Sequence, residues 1–220
     1  MLTKEKIDFI EFMLGADVLR FGDFVTKSGR NTPYFVNTGN YRTGAQISAL
    51  GKFYASLVKN TIGDEFDAMF GPAYKGIPLV CAAAGALYSE FGIDKPYFFN
   101  RKEEKDHGEG GVFVGYKPTA GEEIVIVEDV ITAGTAIRES MAILSSLKGA
   151  KVAAAFVMVD RCEKGRGESS AMAEVGEEFG FPVYSVVNVY DIIEYLEEDA
   201  KNSENVERIK NYLKNYGAKE

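Results

Sequence analysis

One stretch of the sequence, IVIVEDVITAGTAI at residues 124–137, constrains the fold more than any other. It opens on a run of β-branched residues, which is typical of a strand buried on both faces of a parallel sheet. Ile137, Met141 and Leu144 then recur at helical spacing, and Gly149 is predicted to end this helix. The stretch therefore predicts a strand, a short loop and a helix, which is the repeating unit of an α/β fold.

The loop between this strand and this helix carries small residues, hydroxyls and a pair of acids. Backbone N–H groups that open a helix have no partner within it and lie at its positive end, so the loop is a predicted phosphate cradle. Gly134 permits close approach, and Thr132 and Thr135 can add hydroxyl donors. Glu128 and Asp129 are acceptors suited to sugar hydroxyls or to a hydrated divalent cation. Together these groups predict binding of a phosphorylated sugar.

Other nucleotide-binding loops are excluded by their missing motifs, and a plainer interpretation has to be weighed. Neither G-x-x-x-x-G-K-S/T nor G-x-G-x-x-G after a strand occurs in the chain. In the plainer interpretation, Glu128 and Asp129 merely end a strand and Thr135 merely caps a helix. That would be the better reading of an isolated acid pair. The continuous run of apolar strand, acids, T-A-G-T loop and helix favours a ligand site.

Further elements follow from local signals along the chain. Thr43 with Gln46 makes a capping box for a helix that runs to about Lys59. Residues 66–70 are a predicted strand that leads through the loop GPAYKG into a helix at residues 77–91. Open α/β sheets bind ligands at the carboxyl ends of their parallel strands. The two strand, loop, helix units are therefore expected to bring their loops to the same edge of the sheet.

Several segments resemble one family of enzymes. The run VEDVITAGT at residues 127–135 resembles the signature with which type I phosphoribosyltransferases bind 5-phosphoribosyl 1-diphosphate (PRPP). Other segments resemble the bacterial orotate phosphoribosyltransferases of that family. They are KSGR at 27–30 before PYF at 33–35, GPAYKGIP at 71–78, NRKEEKDHGEG at 100–110, and DR at 160–161 with GRGE at 165–168. The resemblance spans nearly the whole chain.

The resemblance implies an α/β fold of the type I phosphoribosyltransferase kind, with a central, mostly parallel sheet flanked by helices. It also implies a small N-terminal hood, to which residues 1–40 contribute, and a mobile lid loop at residues 101–115. Strand-like runs at 18–25 and 33–37 enclose a polar turn and so predict a hairpin in the hood. The whole chain, residues 1–220, is expected to form one domain.

Composition is consistent with an enzyme of this kind. With 220 residues and 46% hydrophobic content, the chain can bury a core of its own. Its net charge of −8 argues against a general nucleic-acid surface, so an anionic substrate must meet positive charge collected locally. Cys81 and Cys162 lack the spacing of a disulfide framework or zinc site, which fits a reducing cytoplasm. Neither a signal peptide nor a membrane span is expected.

The resemblance assigns roles to the residues that match the family's motifs. It implies catalytic roles for Arg101, Lys105 and Asp129. The implied PRPP contacts are Lys27, Tyr74, Lys75, Arg101, Lys102, Lys105, His107, Glu128, Asp129, Val130, Ile131, Thr132, Ala133, Gly134, Thr135 and Ala136. The implied orotate contacts are Phe35, Val36, Thr132 and Arg161.

Taken from spacing alone, some of these residues have plainer interpretations. Lys27 would be a solvated turn charge, and Lys75 would belong to an ordinary Gly-Pro turn. His107, the only histidine in the chain, would be a surface side chain. Arg161 would be a structural ion-pair former, although its planar fork also suits a carboxylate such as that of orotate. The segment at residues 163–168 is expected to be polar and mobile.

The reaction implied by the resemblance converts orotate and PRPP into orotidine 5′-phosphate and diphosphate. Mg²⁺ is the implied cofactor, bound mainly through PRPP and water, and no protein ligand is assigned to it. The implied assembly is a homodimer in which Lys102, Lys105 and His107 reach the partner's site. Two alternatives remain, a phosphoribosyltransferase acting on a purine base and a non-catalytic regulator that senses PRPP. The hood turn, Arg161 and the lysine-rich lid favour the enzyme that uses orotate.

Overall fold

The computed structural model of the chain describes residues 1–26, 29–105 and 111–218, and of residues 104 and 105 it describes only the backbone. The helices are α1 (Lys4–Gly15), α2 (Gly44–Thr61), α3 (Gly76–Phe91), α4 (Thr135–Leu144), α5 (Ala171–Phe179), α6 (Val189–Glu197) and α7 (Ser203–Tyr216). The strands are β1 (Leu19–Val25), β2 (Asn31–Val36), β3 (Ala68–Gly71), β4 (Tyr97–Lys105), β5 (Gly111–Gly115), β6 (Glu123–Val127), β7 (Val130–Ile131), β8 (Lys151–Asp160) and β9 (Val183–Asn188).

The larger sheet is mostly parallel, as the sequence predicts. β3 pairs with β4 and β6, β6 pairs with β8, and β8 pairs with β9 and with the short β7, all in parallel. β5 lies beside β4 and runs antiparallel to it. Residues 124–127 and 154–159 are buried because both faces of their strands are covered. The predicted parallel sheet is therefore confirmed.

Helices flank the larger sheet on both faces. Val125 and Val127 point into a core shared with α2, α3 and α6. Ile124 and Ile126 point to the opposite face, into a core shared with α4 and α5, because successive strand residues alternate between faces. None of the helices in the described ranges is long and apolar enough to cross a membrane. Because helices cover both faces, loops can come together only at the ends of the strands. The predicted ligand-binding loops follow the carboxyl ends.

β1 and β2 form a separate antiparallel hairpin in the part of the chain predicted to be the hood. The ring of Phe24 stacks on that of Phe35, with centroids 5.4 Å apart. The ring of Tyr34 meets Tyr212 of α7 edge-on at 6.3 Å, so the C-terminal helix packs against this hairpin. The predicted hairpin is confirmed, while residues 27 and 28 of its turn lie outside the described residues.

The predicted lid differs from the observed structure at both of its ends. A loop was expected over residues 101–115, but β4 continues to Lys105 and β5 begins at Gly111, with Asn100 paired to Phe113. The prediction was wrong here because a dense run of charges was interpreted as a loop. Beyond Phe99, β4 pairs only with β5, so one neighbour satisfies its backbone and charged side chains such as Lys102 and Glu103 stay in water. Residues 106–110 lie outside the described residues, so lid motion stays a prediction.

The helix that follows the phosphate loop is shorter than predicted. α4 ends at Leu144, before Gly149. The hydroxyls of Ser145 and Ser146 donate to the carbonyls of Ala142 and Ile143, which satisfies acceptors that a longer helix would have used. Serine side chains therefore end this helix, and the glycine lies in the turn that precedes β8.

Candidate active site

Glu128 and Asp129 lie directly after β6, where hydrogen bonds to β8 and α2 fix their backbone. The N–H of Glu128 donates to Phe156 O at 2.9 Å, and Asp129 O accepts from the N–H of Met158 at 2.8 Å. The hydroxyl of Tyr54 on α2 donates to the carbonyl oxygen of Glu128 at 2.5 Å. The acid pair is therefore held at the carboxyl edge of the sheet by the neighbouring strand β8 and by α2.

The carboxylate of Asp129 collects donors from three parts of the chain. Its Oδ2 accepts from Lys75 Nζ and from Thr38 Oγ1, both at 2.9 Å, and its Oδ1 accepts from the N–H of Val130 at 2.8 Å. The side chain of Lys75 is 59% exposed and that of Asp129 is 15% exposed. The two predicted loops thus meet at one edge of the sheet. Thr38, which follows the hood hairpin, was not predicted, and no local pattern marks it.

Glu128 differs from its neighbour in being almost fully covered, with 7% of its surface exposed. Burial and the charge of Asp129 raise the pKa of Glu128 to about 8, although the N–H of Asp129 donates to its Oε1 and lowers that pKa in part. Glu128 therefore retains a proton at neutral pH. A protonated carboxyl can donate one hydrogen bond and accept others, which suits a pair of neighbouring sugar hydroxyls.

The predicted phosphate cradle leads into the first turn of α4. Gly134 precedes the helix with φ of 73°, and a Cβ added there would lie 2.8 Å from Arg138 Nη1 and 2.7 Å from Val175. Only glycine fits this position without strain. The N–H groups of Thr135 and Ala136 follow it at the start of the helix, where amides have no partner within the helix.

Arg138 fixes this loop and was not predicted as a site residue. Its Nη1 donates to Ala133 O at 2.7 Å, so a carbonyl of the cradle is already engaged. Glu178 and Glu174 of α5 hold the guanidinium at 2.6 and 3.4 Å. The side chain is only 9% exposed. Its position in the first turn of the helix after the T-A-G-T run is the signal that could have identified it.

The loop after β3 is fixed by a buried side chain of β4. The peptide bond between Ala73 and Tyr74 is cis, and the N–H of Ala73 donates to Asn100 Oδ1 at 2.8 Å. Asn100 is 4% exposed and its amide donates to Arg101 O at 3.1 Å. Lys102 Nζ lies 5.7 Å from the centroid of the Tyr74 ring, within the same protomer. Asn100 belongs to a recognised motif but was not predicted to support the site.

A cleft of about 260 Å³ opens between these loops. Among the residues that line it are Arg101, Lys102, Glu128 and Ala136, all of which were predicted to contact PRPP. Arg101 Nη1 donates to Gly111 O at 3.1 Å, which connects β4 to the start of β5. One cleft therefore brings together parts of three predicted motifs.

Some predicted residues lie outside the described side chains. Lys27 and His107 are among the residues that are not described, and of Lys105 only the backbone is described. Their roles, including the catalytic role of Lys105, stay predictions.

The predicted orotate residues lie near the hood hairpin. Phe35 is half-buried on the ring of Phe24, and Val36 is 8% exposed within the core. The N–H of Arg161 faces Ile131 O at 3.5 Å, which brings it beside the residue that precedes Thr132.

Arg161 is buried and already engaged in an ion pair. Only 3% of its surface is exposed, and its Nε donates to Glu163 Oε1 at 2.7 Å. Its Nη2 donates to Thr32 Oγ1 at 3.0 Å, and its guanidinium carbon lies 4.1 Å from the centroid of the Tyr34 ring. The plainer interpretation of Arg161 as an ion-pair former therefore describes its present contacts. Its role toward orotate stays a prediction.

The expectation that residues 163–168 are polar and mobile was wrong at its first residue. Glu163 is 1% exposed and its carboxylate accepts from Arg161, Arg30 and Tyr212. The prediction failed because the partners of Glu163 come from distant parts of the chain. A glutamate two residues after an arginine at a strand end was the only local signal.

Comparisons with known proteins give one consistent family. Residues 37–183 match the model of the phosphoribosyl transferase domain family. The chain is 48% identical over 224 residues to the orotate phosphoribosyltransferase of Clostridium acetobutylicum, covering 99% of this chain and 100% of that relative. It is 51% identical over 216 residues to the orotate phosphoribosyltransferase of Cellvibrio japonicus, covering 98% and 99%. The solved orotate phosphoribosyltransferase of Francisella tularensis is 40% identical with a TM-score of 0.83, covering 96% and 100%.

Proposed function

The chain belongs to the orotate phosphoribosyltransferases of the phosphoribosyltransferase family, and we propose how its own residues carry out their reaction. It is a pentosyltransferase that transfers the ribose 5-phosphate group of PRPP to orotate, giving orotidine 5′-phosphate and diphosphate in pyrimidine biosynthesis. The observation that supports the assignment of roles best is the meeting of Lys75 with Asp129 beside the opening of α4.

PRPP lies along this edge of the sheet in the proposal. The amides and hydroxyls from Thr132 to Ala136 hold the 5′-phosphate, with Val130, Ile131, Ala133 and Gly134 shaping the loop. Asp129 and Glu128 hold the ribose hydroxyls, and the proton of Glu128 lets the pair both donate and accept. The diphosphate is bound by Lys27, Tyr74, Lys75, Arg101, Lys102, Lys105 and His107. When PRPP binds, the ribose takes the place of Lys75 beside Asp129, and Lys75 contacts the diphosphate instead.

The reaction displaces diphosphate at the anomeric carbon of ribose, and the orotate nitrogen forms the new bond there while its proton passes to water or to the leaving diphosphate. Its transition state resembles a ribosyl cation, so catalysis depends on positioning and on charge more than on a nucleophilic side chain. In the proposal, Asp129 stabilises the positive ribose, and Arg101 and Lys105 stabilise the negative leaving group. Phe35, Val36, Thr132 and Arg161 orient orotate, with Arg161 facing its carboxylate.

We propose Mg²⁺ as the cofactor, bound mainly through PRPP and water. Within the described residues, no group of three or more His, Cys, Asp or Glu side chains is placed to hold a metal. Asp129 nonetheless offers a carboxylate beside the proposed substrate, and Mg²⁺ commonly binds through one or two carboxylates, water and substrate phosphates. When bound, the ion neutralises charge on the leaving diphosphate.

We further propose a single domain over residues 1–220 that works as a homodimer in the cytoplasm, without nucleic acid or membrane as partner. Lys102, Lys105 and His107 act in the partner's site, and a lid within residues 101–115 closes over PRPP and excludes water. In the single chain Lys102 lies 5.7 Å from the ring of Tyr74, and because its side chain is exposed on the edge hairpin it can leave this ring for the partner's site. Free thiols at Cys81 and Cys162 suit a reducing compartment.

A spectrophotometric assay tests the proposed reaction directly. Purified protein is mixed with orotate, PRPP and Mg²⁺, and the ultraviolet absorbance of orotate is followed, with uracil, adenine and hypoxanthine in parallel. Loss of orotate alone, stopped by a chelator and restored by excess Mg²⁺, is expected. Turnover of another base instead of orotate would contradict the substrate assignment, and orotate turnover in the presence of the chelator would contradict the role of Mg²⁺.

A further inference from the structure

We propose that Glu163 is a positioning residue for Arg161, and that the C-terminal helix α7 takes part in the orotate site through it. The inference rests on the proposed role of Arg161 in binding orotate. It assigns to Glu163 and Tyr212 a function in substrate recognition that neither residue's local sequence indicates.

The carboxylate of Glu163 joins three separate parts of the chain. Its Oε1 accepts from Arg161 Nε at 2.7 Å and from the Tyr212 hydroxyl at 2.8 Å. Its Oε2 accepts from Arg30 Nη1 at 3.0 Å. Arg30 comes from the turn of the hood hairpin, Arg161 follows β8, and Tyr212 belongs to α7. Both carboxylate oxygens of a buried side chain are thus used, and each has a partner that carries a full charge or a hydroxyl.

These contacts determine the plane in which the guanidinium of Arg161 lies. Glu163 and Thr32 accept hydrogen bonds from its edge, while the ring of Tyr34 lies 4.1 Å below its central carbon. Arginine recognises a carboxylate through parallel hydrogen bonds in the plane of its fork, so that plane decides whether the ligand is bound well. A guanidinium fixed before orotate arrives also loses less conformational entropy on binding.

Backbone hydrogen bonds to the C-terminal residues hold the segment that carries Glu163 in place. The N–H of Lys164 donates to Tyr216 O and the N–H of Ala218 donates to Cys162 O, both at 2.9 Å. Burial and the nearby charge of Glu163 raise the pKa of Tyr212 to about 12, so its hydroxyl stays protonated and remains a donor. The end of α7 therefore fixes both the backbone and the carboxylate of this segment.

A purely structural role explains this cluster less well. Desolvating two charges offsets most of the attraction between them, so a buried ion pair contributes little net stability compared with apolar side chains of similar size. What the pair does supply is a fixed geometry, and the group whose geometry it fixes is the arginine proposed to face orotate.

The test compares Glu163→Gln, which keeps shape but removes charge, with Tyr212→Phe, which removes one hydroxyl. Tyr116→Phe is the matched control, because the hydroxyl of Tyr116 donates to Glu122 Oε1 at 2.6 Å in a different part of the structure. Michaelis constants for orotate and for PRPP are measured separately. We expect the constant for orotate to rise roughly tenfold in Glu163→Gln and about threefold in Tyr212→Phe, since hydrogen bonds to charged groups are strong. The constant for PRPP is expected to stay within about twofold in both variants.

Arg161→Ala, alone and combined with Glu163→Gln, separates this inference from the proposed function. The two substitutions are expected to be non-additive, because Glu163 acts only through Arg161. If Arg161→Ala leaves the constant for orotate unchanged, the proposed role of Arg161 is wrong. If it raises that constant while Glu163→Gln and Tyr212→Phe do not, positioning is refuted and the proposed function stands. Equal rises for both substrates would also refute positioning. Should Glu163→Gln not fold, Tyr212→Phe against its control decides.

Discussion

Replacing Glu128 by glutamine is expected to change how the stability of this protein depends on pH. Burial and the charge of Asp129 raise the pKa of Glu128 from its ordinary 4.5 to about 8. Between these two values the native protein keeps the proton while the unfolded chain has released it. The unfolded state therefore gains stability relative to the native state as pH rises. Glu128 thus lowers the free energy of unfolding. This effect is absent below about pH 4.5 and reaches its full size above about pH 8.

The size of this effect follows from the shift in pKa. Each pH unit between the two values lowers the free energy of unfolding by about 1.4 kcal/mol, so the whole interval amounts to at most about 5 kcal/mol. Glutamine has nearly the same shape as the protonated acid, and its side-chain oxygen can still accept from the N–H of Asp129. Glu128→Gln should therefore match the natural protein near pH 4.5 and exceed it in stability at pH 8.

Urea unfolding at a series of pH values measures this difference. The natural protein, Glu128→Gln and a control, Glu139→Gln, are compared, since Glu139 lines the same cleft but is exposed. Subtracting one profile from another removes the contribution of the titrating groups that do not interact with residue 128. We expect the free energy of unfolding of Glu128→Gln to exceed that of the natural protein by an amount that grows with pH. The corresponding difference for the control is expected not to grow. Parallel profiles for all three proteins would refute the reasoning.

Three further predictions concern the loops and the assembly. Gly134→Ala should destabilise the protein by about 2 kcal/mol or more, because its Cβ would lie 2.7 Å from a neighbouring side chain. Urea unfolding beside Gly63→Ala, which has positive φ but open space, separates crowding from strain, and equal losses would contradict crowding. Lys105→Ala should lower turnover by about 100-fold with little change in urea midpoint, and an unchanged rate would remove Lys105 from the catalytic set. Mixing the impaired Lys102→Ala and Arg161→Ala subunits should restore full activity in about a quarter of the sites if sites are shared between subunits, whereas no recovery would argue against a shared site.

Elements with strong local signals could be predicted from the sequence. The capping box of Thr43 and Gln46 is present at the start of α2, with both of its hydrogen bonds. The run of β-branched residues forms β6, and Gly134 immediately precedes α4. Each of these depends on neighbours within a few residues, through helix capping, side-chain periodicity or backbone freedom.

Other parts of the site depend on partners that are far apart in the sequence. The meeting of Lys75 with Asp129 was expected only in outline, from the rule that loops gather at the carboxyl ends of parallel strands. The extension of β4 to Lys105 requires β5 as a partner. No local pattern in the charged run indicates that the two strands pair. Asn100 and Arg138 fix the two substrate loops by hydrogen bonds that sequence spacing does not reveal.

The sequence by itself determined the α/β architecture, the phosphate loop and the family, because these rest on periodicity and on contiguous motifs. Only the tertiary structure decided which acid keeps its proton and which arginine is held in place. Glu128 has a raised pKa because residues distant in the chain bury it, and Arg161 is oriented because Glu163 also meets Arg30 and Tyr212. Burial and long-range pairing are properties of the packed chain, and they set the chemistry of groups that the sequence can only name.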